Sequence, residues 1–330
     1  MHLNRPEGHR RVSLRELLRT KPAPLFGGWG ATAHHAQITE LTGFDFFGVS
    51  GSNTSTHLLG LPDAGFLTLS EMVENTRRIC SAVGMPVIVD CDTGFGNAIN
   101  VLRTTEEMIL AGASCLFIED QVAPKRCGFV KGKELISLDE ATGKIRAACD
   151  VRDRLNPEFM IMTRTDARGA VGGGMDEVLR RGKAYQGAGS DILYFEALQS
   201  RDEIMAARHA FPYAYLEITP WAVNPPISSK EIVDLGITFT SVHVGRIGAI
   251  AMYDFMKQYR ERGEDSYNEV VAQTRDHPLG GFRIFDMTGF PKVLEWEREF
   301  LPAETMDKYE NSLGIYDPRA AAAGKVLKGG

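Results

Sequence analysis

The chain has 330 residues, 43% hydrophobic and 24% charged, with a formal net charge of -6, which describes an ordinary globular protein large enough for one big domain or two, and gives no reason to expect a nucleic-acid or membrane partner. Five scattered cysteines (Cys80, Cys91, Cys115, Cys127, Cys149) predict reduced thiols and a cytoplasmic location rather than a disulfide framework. No apolar run reaches the roughly 18 residues needed to cross a bilayer, and Met1 to Pro6 has no signal-peptide core.

After a polar lead-in, Val12 to Leu18 reads as a short amphipathic segment. Eight short apolar runs then read as strands: Ala23–Trp29, Asp45–Ser50, Pro86–Asp90, Cys115–Asp120, Phe159–Thr165, Asp191–Glu196, Ala214–Ile218 and Ile237–Val242. Helical spacing fills most of the gaps, as in Met72, Val73, Thr76, Ile79 and Val83. Capping boxes open four of these helices, at Thr68/Glu71, Ser137/Glu140, Ser200/Glu203 and Ser228/Glu231. Gly43, Gly84, Gly112, Gly189 and Gly236 stand where helix C-caps belong. Eight alternations over about 220 residues predict an α/β fold, a (β/α)8 barrel rather than an open doubly wound sheet. Gly94-Phe-Gly96 lacks the third glycine of a dinucleotide fingerprint, and Gly172–Gly174 reads as a turn before a helix.

The predicted boundary puts a catalytic barrel at 1–247 and a helical extension at 248–330, packing on the barrel or on a neighbouring subunit. Its expected helices are Ala249–Arg260, Ser266–Thr274, Pro291–Phe300 and Ala303–Leu313, and Ala320–Gly330 reads as a frayed terminus.

Functional groups of such barrels collect at the C-terminal ends of strands. Here those ends carry Ser50, Gly51 and Ser52; Asp90 and Asp92; Glu119 and Asp120; Arg164 and Asp166; Glu196; and Glu217 and Thr219. Asp90 and Asp92 share a strand face, and two carboxylates so close favour a cation beside them, Mg2+ above all. Plainer readings exist: Asp92 capping the glycine turn, Arg164 and Asp166 as an internal ion pair, Glu196 capping the next helix. The loop Gln121 to Lys133 sets Cys127 after Lys125-Arg126 and before Gly128, which predicts a stabilised thiolate on a mobile lid, a proton donor or nucleophile; a solvated basic loop is the alternative. Cys80, Cys115 and Cys149 read as core, and Cys91 points away from the two aspartates. His34, His35 and His243 have no zinc-site spacing.

Val49-Ser-Gly51, Leu58-Leu-Gly-Leu-Pro-Asp63, Asp90-Cys-Asp-Thr-Gly-Phe-Gly-Asn97, Ile118-Glu-Asp-Gln121, Lys125-Arg-Cys-Gly128 and Arg164-Thr-Asp-Ala167 together resemble the isocitrate lyase and phosphoenolpyruvate mutase superfamily. The resemblance runs from about Ser13 to about Glu196 and implies a barrel with a helical C-terminus swapped between the subunits of a dimer or tetramer. It also implies a Mg2+ or Mn2+ site on Asp92, with Asp90, Asp63 and Glu119 nearby through water. Ser50, Gly51 and Ser52 would hold a substrate carboxylate and Arg164 the bound oxyacid. From their places on the rim, Glu196 is expected to be catalytic with Cys127 and Arg164, and Glu217 and Thr219 to bind substrate. Lys-Arg-Cys-Gly looks like the carbon–carbon lyase branch, in which the loop cysteine protonates a departing carbanion.

Departures from the methylisocitrate lyase pattern stand at Phe129 for His, Gly48 for Tyr, Gly28–Ala31 for a Tyr-Asp-Ala turn, and Glu217–Ala222 for an Asn-x-x-Glu-Gly-Gly segment. They predict a substrate other than isocitrate or methylisocitrate, with an apolar or neutral tail. The first expectation is a Mg2+-dependent carbon–carbon lyase releasing pyruvate, glyoxylate or a related oxo acid from a substituted malate-like or other 2-hydroxy acid. The alternatives are oxaloacetate-type hydrolysis or decarboxylation, phosphonate chemistry, and a barrel that only binds an oxo acid.

Overall fold

The alternation of apolar runs and helices becomes, in a computed structural model describing residues 12–310, 312–314 and 316, eight parallel strands. These are β1 (Leu25–Gly30), β2 (Phe46–Val49), β3 (Val87–Asp90), β4 (Cys115–Glu119), β5 (Met160–Thr165), β6 (Ile192–Phe195), β7 (Tyr215–Ile218) and β8 (Phe239–His243). They pair in the order β7-β6-β5-β4-β3-β2-β1-β8. The Thr238 amide donates to the Leu216 carbonyl at 3.0 Å and the Leu216 amide to the Thr238 hydroxyl at 2.9 Å, which brings the two ends together as a (β/α)8 barrel.

The helices are α1 (Leu14–Thr20), α2 (Ala33–Leu41), α3 (Gly51–Thr54), α4 (Leu69–Ala82), α5 (Ala98–Leu110), α6 (Leu138–Leu155), α7 (Met175–Gly187), α8 (Arg201–Ala210), α9 (Ser229–Asp234) and α10 (Val244–Arg262), followed by α11 (Glu264–Gln273), α12 (Arg283–Met287), α13 (Phe290–Phe300) and α14 (Ala303–Glu310). Helix α1 starts later than expected because the Ser13 hydroxyl caps it, accepting the Glu16 amide at 3.0 Å. Strand β8 starts two residues late because the Ile237 amide donates to the Ile232 carbonyl and closes α9. The capping boxes at Thr68/Glu71 and Ser228/Glu231 are reciprocal, whereas Ser137 and Ser200 cap one way only. Glu203 turns instead to the Gln199 amide and Arg168. Four of the five expected C-cap glycines have positive φ; Gly84 does not, and its amide donates to Glu40. The expected frayed stretch Ala320–Gly330 lies outside the described residues.

Period-two alternation decides what fills the barrel. Leu25, Trp29, Phe46, Ile88, Cys115, Phe117, Met160, Met162, Ile192 and Phe239 pack inside it, while the residues between them, such as Val87, Val89, Leu116 and Ile161, meet the helices. Two glycines make room for the large interior rings. A Cβ on Gly27 would run into the Phe46 ring and one on Gly48 into the Trp29 ring. The Trp29 indole N–H donates to the Ser241 hydroxyl at 2.9 Å, and its ring meets Phe46 and Phe117 edge-on.

Contacts divide the chain into one compact unit ending at Ile247 and another from Gly248 onward. The second is built around Phe282, Phe285, Phe290 and Tyr316, whose rings pack at 5.2 to 6.3 Å. It holds one helix that no pattern predicted, α12, too short at five residues to show a period. Among the described residues, no helix is long and apolar enough to cross a membrane.

Candidate active site

The interior series of β2 to β7 ends in polar side chains at the C-terminal rim. On β3, Asp90 accepts the Gly51 amide at 2.9 Å and the Asp92 amide at 3.0 Å, so it fixes the turn between β2 and α3. An added Cβ at Gly51 would lie 2.8 Å from Asp90 Oδ2 and 3.1 Å from Asp92 Oδ1, which is why only glycine fits there. Asp90 thus bonds the backbone at Gly51 and Asp92, not in the glycine turn foreseen for Asp92. Asp92, with φ of +47°, places Oδ1 2.9 Å from Lys125 Nζ, and the same ammonium pairs with Asp63. Burial pushes the Asp92 carboxyl up to about 6, with Lys125 opposing and Asp90 adding. Burial also raises Glu119 well above the carboxylate range, against Arg164 and Lys125.

On β5, Arg164 grips Asp166 through Nε and Nη2 at 3.1 and 3.0 Å. It also faces Glu119 at 3.3 Å, Glu196 at 3.5 Å and the Tyr194 ring at 5.4 Å. The internal ion pair is therefore real, and the guanidinium is shared beyond it. Burial works against the charge on Asp166, yet Arg164 and Lys133 hold its carboxyl below the usual range. Asp120 faces outward from the barrel: it accepts Thr165 Oγ1 at 2.7 Å, the Asp166 amide at 3.0 Å, Tyr185 Oη at 2.5 Å and Arg181 at 3.1 Å. It buttresses the rim from behind rather than belonging to it.

On β6 and β7, Thr219 Oγ1 donates to Glu196 Oε2 at 3.3 Å and pairs with Tyr194 Oη at 3.1 Å. Glu196 caps no helix; Ser200 caps the next one. Glu217 is buried, and burial with Glu196 beside it raises its carboxyl well above normal. Ser50 Oγ accepts the Asn53 amide at 3.2 Å, leaving its own proton to donate; Ser52 follows in α3, half-buried.

The β4 loop is anchored on both sides of Cys127. Before it, Lys125 is buried against Asp63 and Asp92; after it, buried Lys133 donates to the Gly128 carbonyl and to Asp166 at 3.0 Å. The Cys127 amide donates to the Asp63 carbonyl at 3.1 Å. At Gly128 an added Cβ would lie 2.7 Å from Glu196 Cγ, so this backbone lies directly on Glu196 and Arg164. The expected thiolate does not form. Burial pushes the Cys127 thiol up despite the Phe129 backbone N–H beside it, because the Lys125 charge is spent on carboxylates. Cys127 is thus a protonated thiol at neutral pH.

Among the described residues, no three His, Cys, Asp or Glu side chains converge closely enough to chelate an ion unaided. Glu119 Oε1 is nevertheless buried without a partner, and Asp92 Oδ1 and Glu119 Oε2 meet only the cations Lys125 and Arg164. Such a set fits a hard cation that keeps most of its waters, as Mg2+ does. Sequence reasoning missed Lys133, which nothing local distinguishes from Lys131. It also missed Tyr194, although its place two residues before Glu196 was the signal.

Fold and rim together define a barrel enzyme whose site is lined by carboxylates around a shared arginine. The phosphoenolpyruvate phosphomutase family model matches residues 14–262, and the chain belongs to this family, within the phosphoenolpyruvate mutase/isocitrate lyase superfamily. It is 36% identical over 295 residues to 2,3-dimethylmalate lyase of Eubacterium barkeri, covering 88% of this chain and 97% of that one. Among solved structures, phosphoenolpyruvate phosphomutase from Streptomyces platensis subsp. rosaceus superposes with a TM-score of 0.79 at 30% identity, covering 89% of this chain and all (100%) of that one. Phosphonopyruvate hydrolase in complex with oxalate and Mg2+ superposes with a TM-score of 0.75 at 30% identity, covering 88% of this chain and 98% of that one.

Proposed function

We propose that the protein is a Mg2+-dependent carbon–carbon lyase that cleaves a small 2-hydroxy carboxylic acid by retro-aldol chemistry into an oxo acid and a second carboxylate. One observation carries the reading: a protonated cysteine sits on a loop pinned between the Asp63/Asp92 carboxylates and the Arg164/Glu196 pair. A carbon leaving group needs an acid at that place, whereas transfer of a phosphoryl group does not.

Asp92, with Asp90, Asp63 and Glu119 acting largely through water, would hold Mg2+, or Mn2+ in its place. When bound, the ion supplies Lewis-acid stabilisation of the oxo-acid half. The Ser50 hydroxyl, with Gly51 and Ser52, and the Arg164 guanidinium bind that half; the Gly51 amide, already held by Asp90, contributes through close backbone approach. Glu196, whose Oε1 has no partner, takes the proton of the 2-hydroxyl. Cleavage of the C2–C3 bond leaves its electron pair on C3, and Cys127 Sγ–H supplies the proton that quenches it. Glu217 and Thr219 face the departing fragment. The enzyme acts in the cytoplasm as a homo-oligomer, a dimer or tetramer, with the segment 248–330 packing on a neighbouring subunit.

The test is to incubate the protein with Mg2+ and a panel of 2-hydroxy di- and tricarboxylates and to follow oxo-acid release with and without chelator. Chelator-sensitive release that is lost in Cys127→Ser supports the lyase. Consumption of oxaloacetate or phosphonopyruvate by both wild type and Cys127→Ser would move the assignment to hydrolysis, the reaction of one superposing relative.

A further inference from the structure

Two aromatic side chains that this chemistry leaves unused meet over the rim. Phe129 follows Gly128 in the β4 loop, and Trp221 lies in the single helical turn Pro220–Ala222 after β7. Their ring centroids are 4.0 Å apart, with planes tilted by 35°, yet the residues are 43% and 53% exposed. A contact this close that water still reaches is not a core contact. Strands β5 and β6 stand between β4 and β7, so the pair bridges the rim on the side of Arg164 and Glu196. Each ring is tethered to that pair: Gly128 lies on Arg164 and Glu196, and Thr219 donates to Glu196.

The polar groups on this side offer nothing that attracts a further anion. Glu196 and Glu217 face it, and each has a buried oxygen without a hydrogen-bond partner. Arg164 is already divided among Asp166, Glu119 and Glu196. A carboxylate carried on the substituent and placed here would meet Glu196 and an Arg164 already taken by three acids and by the oxo-acid half, whereas an alkyl group would meet aromatic faces. We propose that Phe129 and Trp221 form an aromatic wall that determines specificity. It favours an uncharged alkyl substituent longer than methyl on the carbon that departs, because the half-open pair lets a chain run along it toward solvent. The identity of that carbon rests on the lyase reading; the wall itself does not.

Probes are malates bearing hydrogen, methyl, ethyl, propyl or butyl at C3, with isocitrate as the charged comparison. Affinity is measured by calorimetry with Mg2+ in the Cys127→Ser background, and turnover by oxo-acid release with Cys127 present. Each added methylene is expected to tighten binding about fourfold, the burial of one CH2 group converted to an equilibrium constant. The gain falls below about twofold per methylene in Trp221→Ala and Phe129→Ala, and Trp221→Phe restores most of it. Equal gains in wild type and both alanine variants would overturn the wall. So would tighter binding of isocitrate than of butylmalate. Alkyl-dependent binding without turnover would sink the lyase reading and leave the wall standing; turnover without alkyl dependence would do the reverse. No binding of any probe would remove both.

Discussion

Cys127 and Glu217 carry opposite lessons about burial. The Cys127 thiol is raised by burial, so it is stored as an acid, ready to give its proton once. Cys127→Ser is expected to lower kcat by about 10²–10⁴-fold while Mg2+ affinity, read by calorimetry, stays within about threefold. Equal losses in both would make Cys127 a structural residue. Glu217 faces Glu196 on β6 and Tyr194 beside it, and no cation is among the causes of its shift. Its carboxyl ionises at the ordinary value, about 4.3, in the unfolded chain but well above it in the folded one. The folded state therefore holds more protons, and this site costs stability increasingly as pH rises through that interval. Glu217→Gln removes the cost, so its melting temperature should exceed that of the wild type by more at pH 8 than at pH 5. A pH-independent difference would reject a neutral Glu217. Much of this site was legible at the level of residues: alternation put Asp90 and Asp92 together because i and i+2 share a face. Their division of labour was not, because Asp90 is claimed by the amide of Gly51, a partner 39 positions away. The charge state of Cys127 was misread for the same reason, since the adjacent Lys125 spends its charge on the distant Asp63.

At the scale of elements, the strands were legible and their ends less so. A strand's first residue depends on who takes its amide, as with Ile237, whose N–H returns to α9. The β4 loop was legible as a basic segment but not as an anchored one. Lys133 fixes it to the barrel by holding the Gly128 carbonyl and Asp166 together. Lys133→Met leaves both without that partner and should cost about 3 kcal/mol in denaturant unfolding. Amide exchange across residues 126–131 should rise at least about tenfold, the factor corresponding to 1.4 kcal/mol of local opening. Loss of global stability with unchanged local exchange would show that the loop is held by something else.

For the whole molecule, the pattern of exposure is informative. Ile250, Met252, Tyr253 and Met256 on α10 are 54 to 70% exposed, an apolar stretch of a kind that seldom stays in water. We expect sedimentation velocity to find a dimer or larger species, and Ile250→Glu with Met256→Glu to shift it toward monomer. A wild-type monomer at micromolar concentration would exclude a subunit interface there.

The interlock of Trp29 with Gly48 also limits how this lineage can change. With the indole seated against position 48, a methyl group there collides before it can be selected for anything. Gly48→Ala alone should cost about 1–3 kcal/mol by overpacking, measured by chemical denaturation, and most of that should vanish when Trp29 is first shortened to Leu. The two codons thus form a ratchet. A descendant regains a side chain at position 48 only through an ancestor that has already given up its tryptophan on β1, so the order of mutations, and not only their identity, is written into the barrel interior.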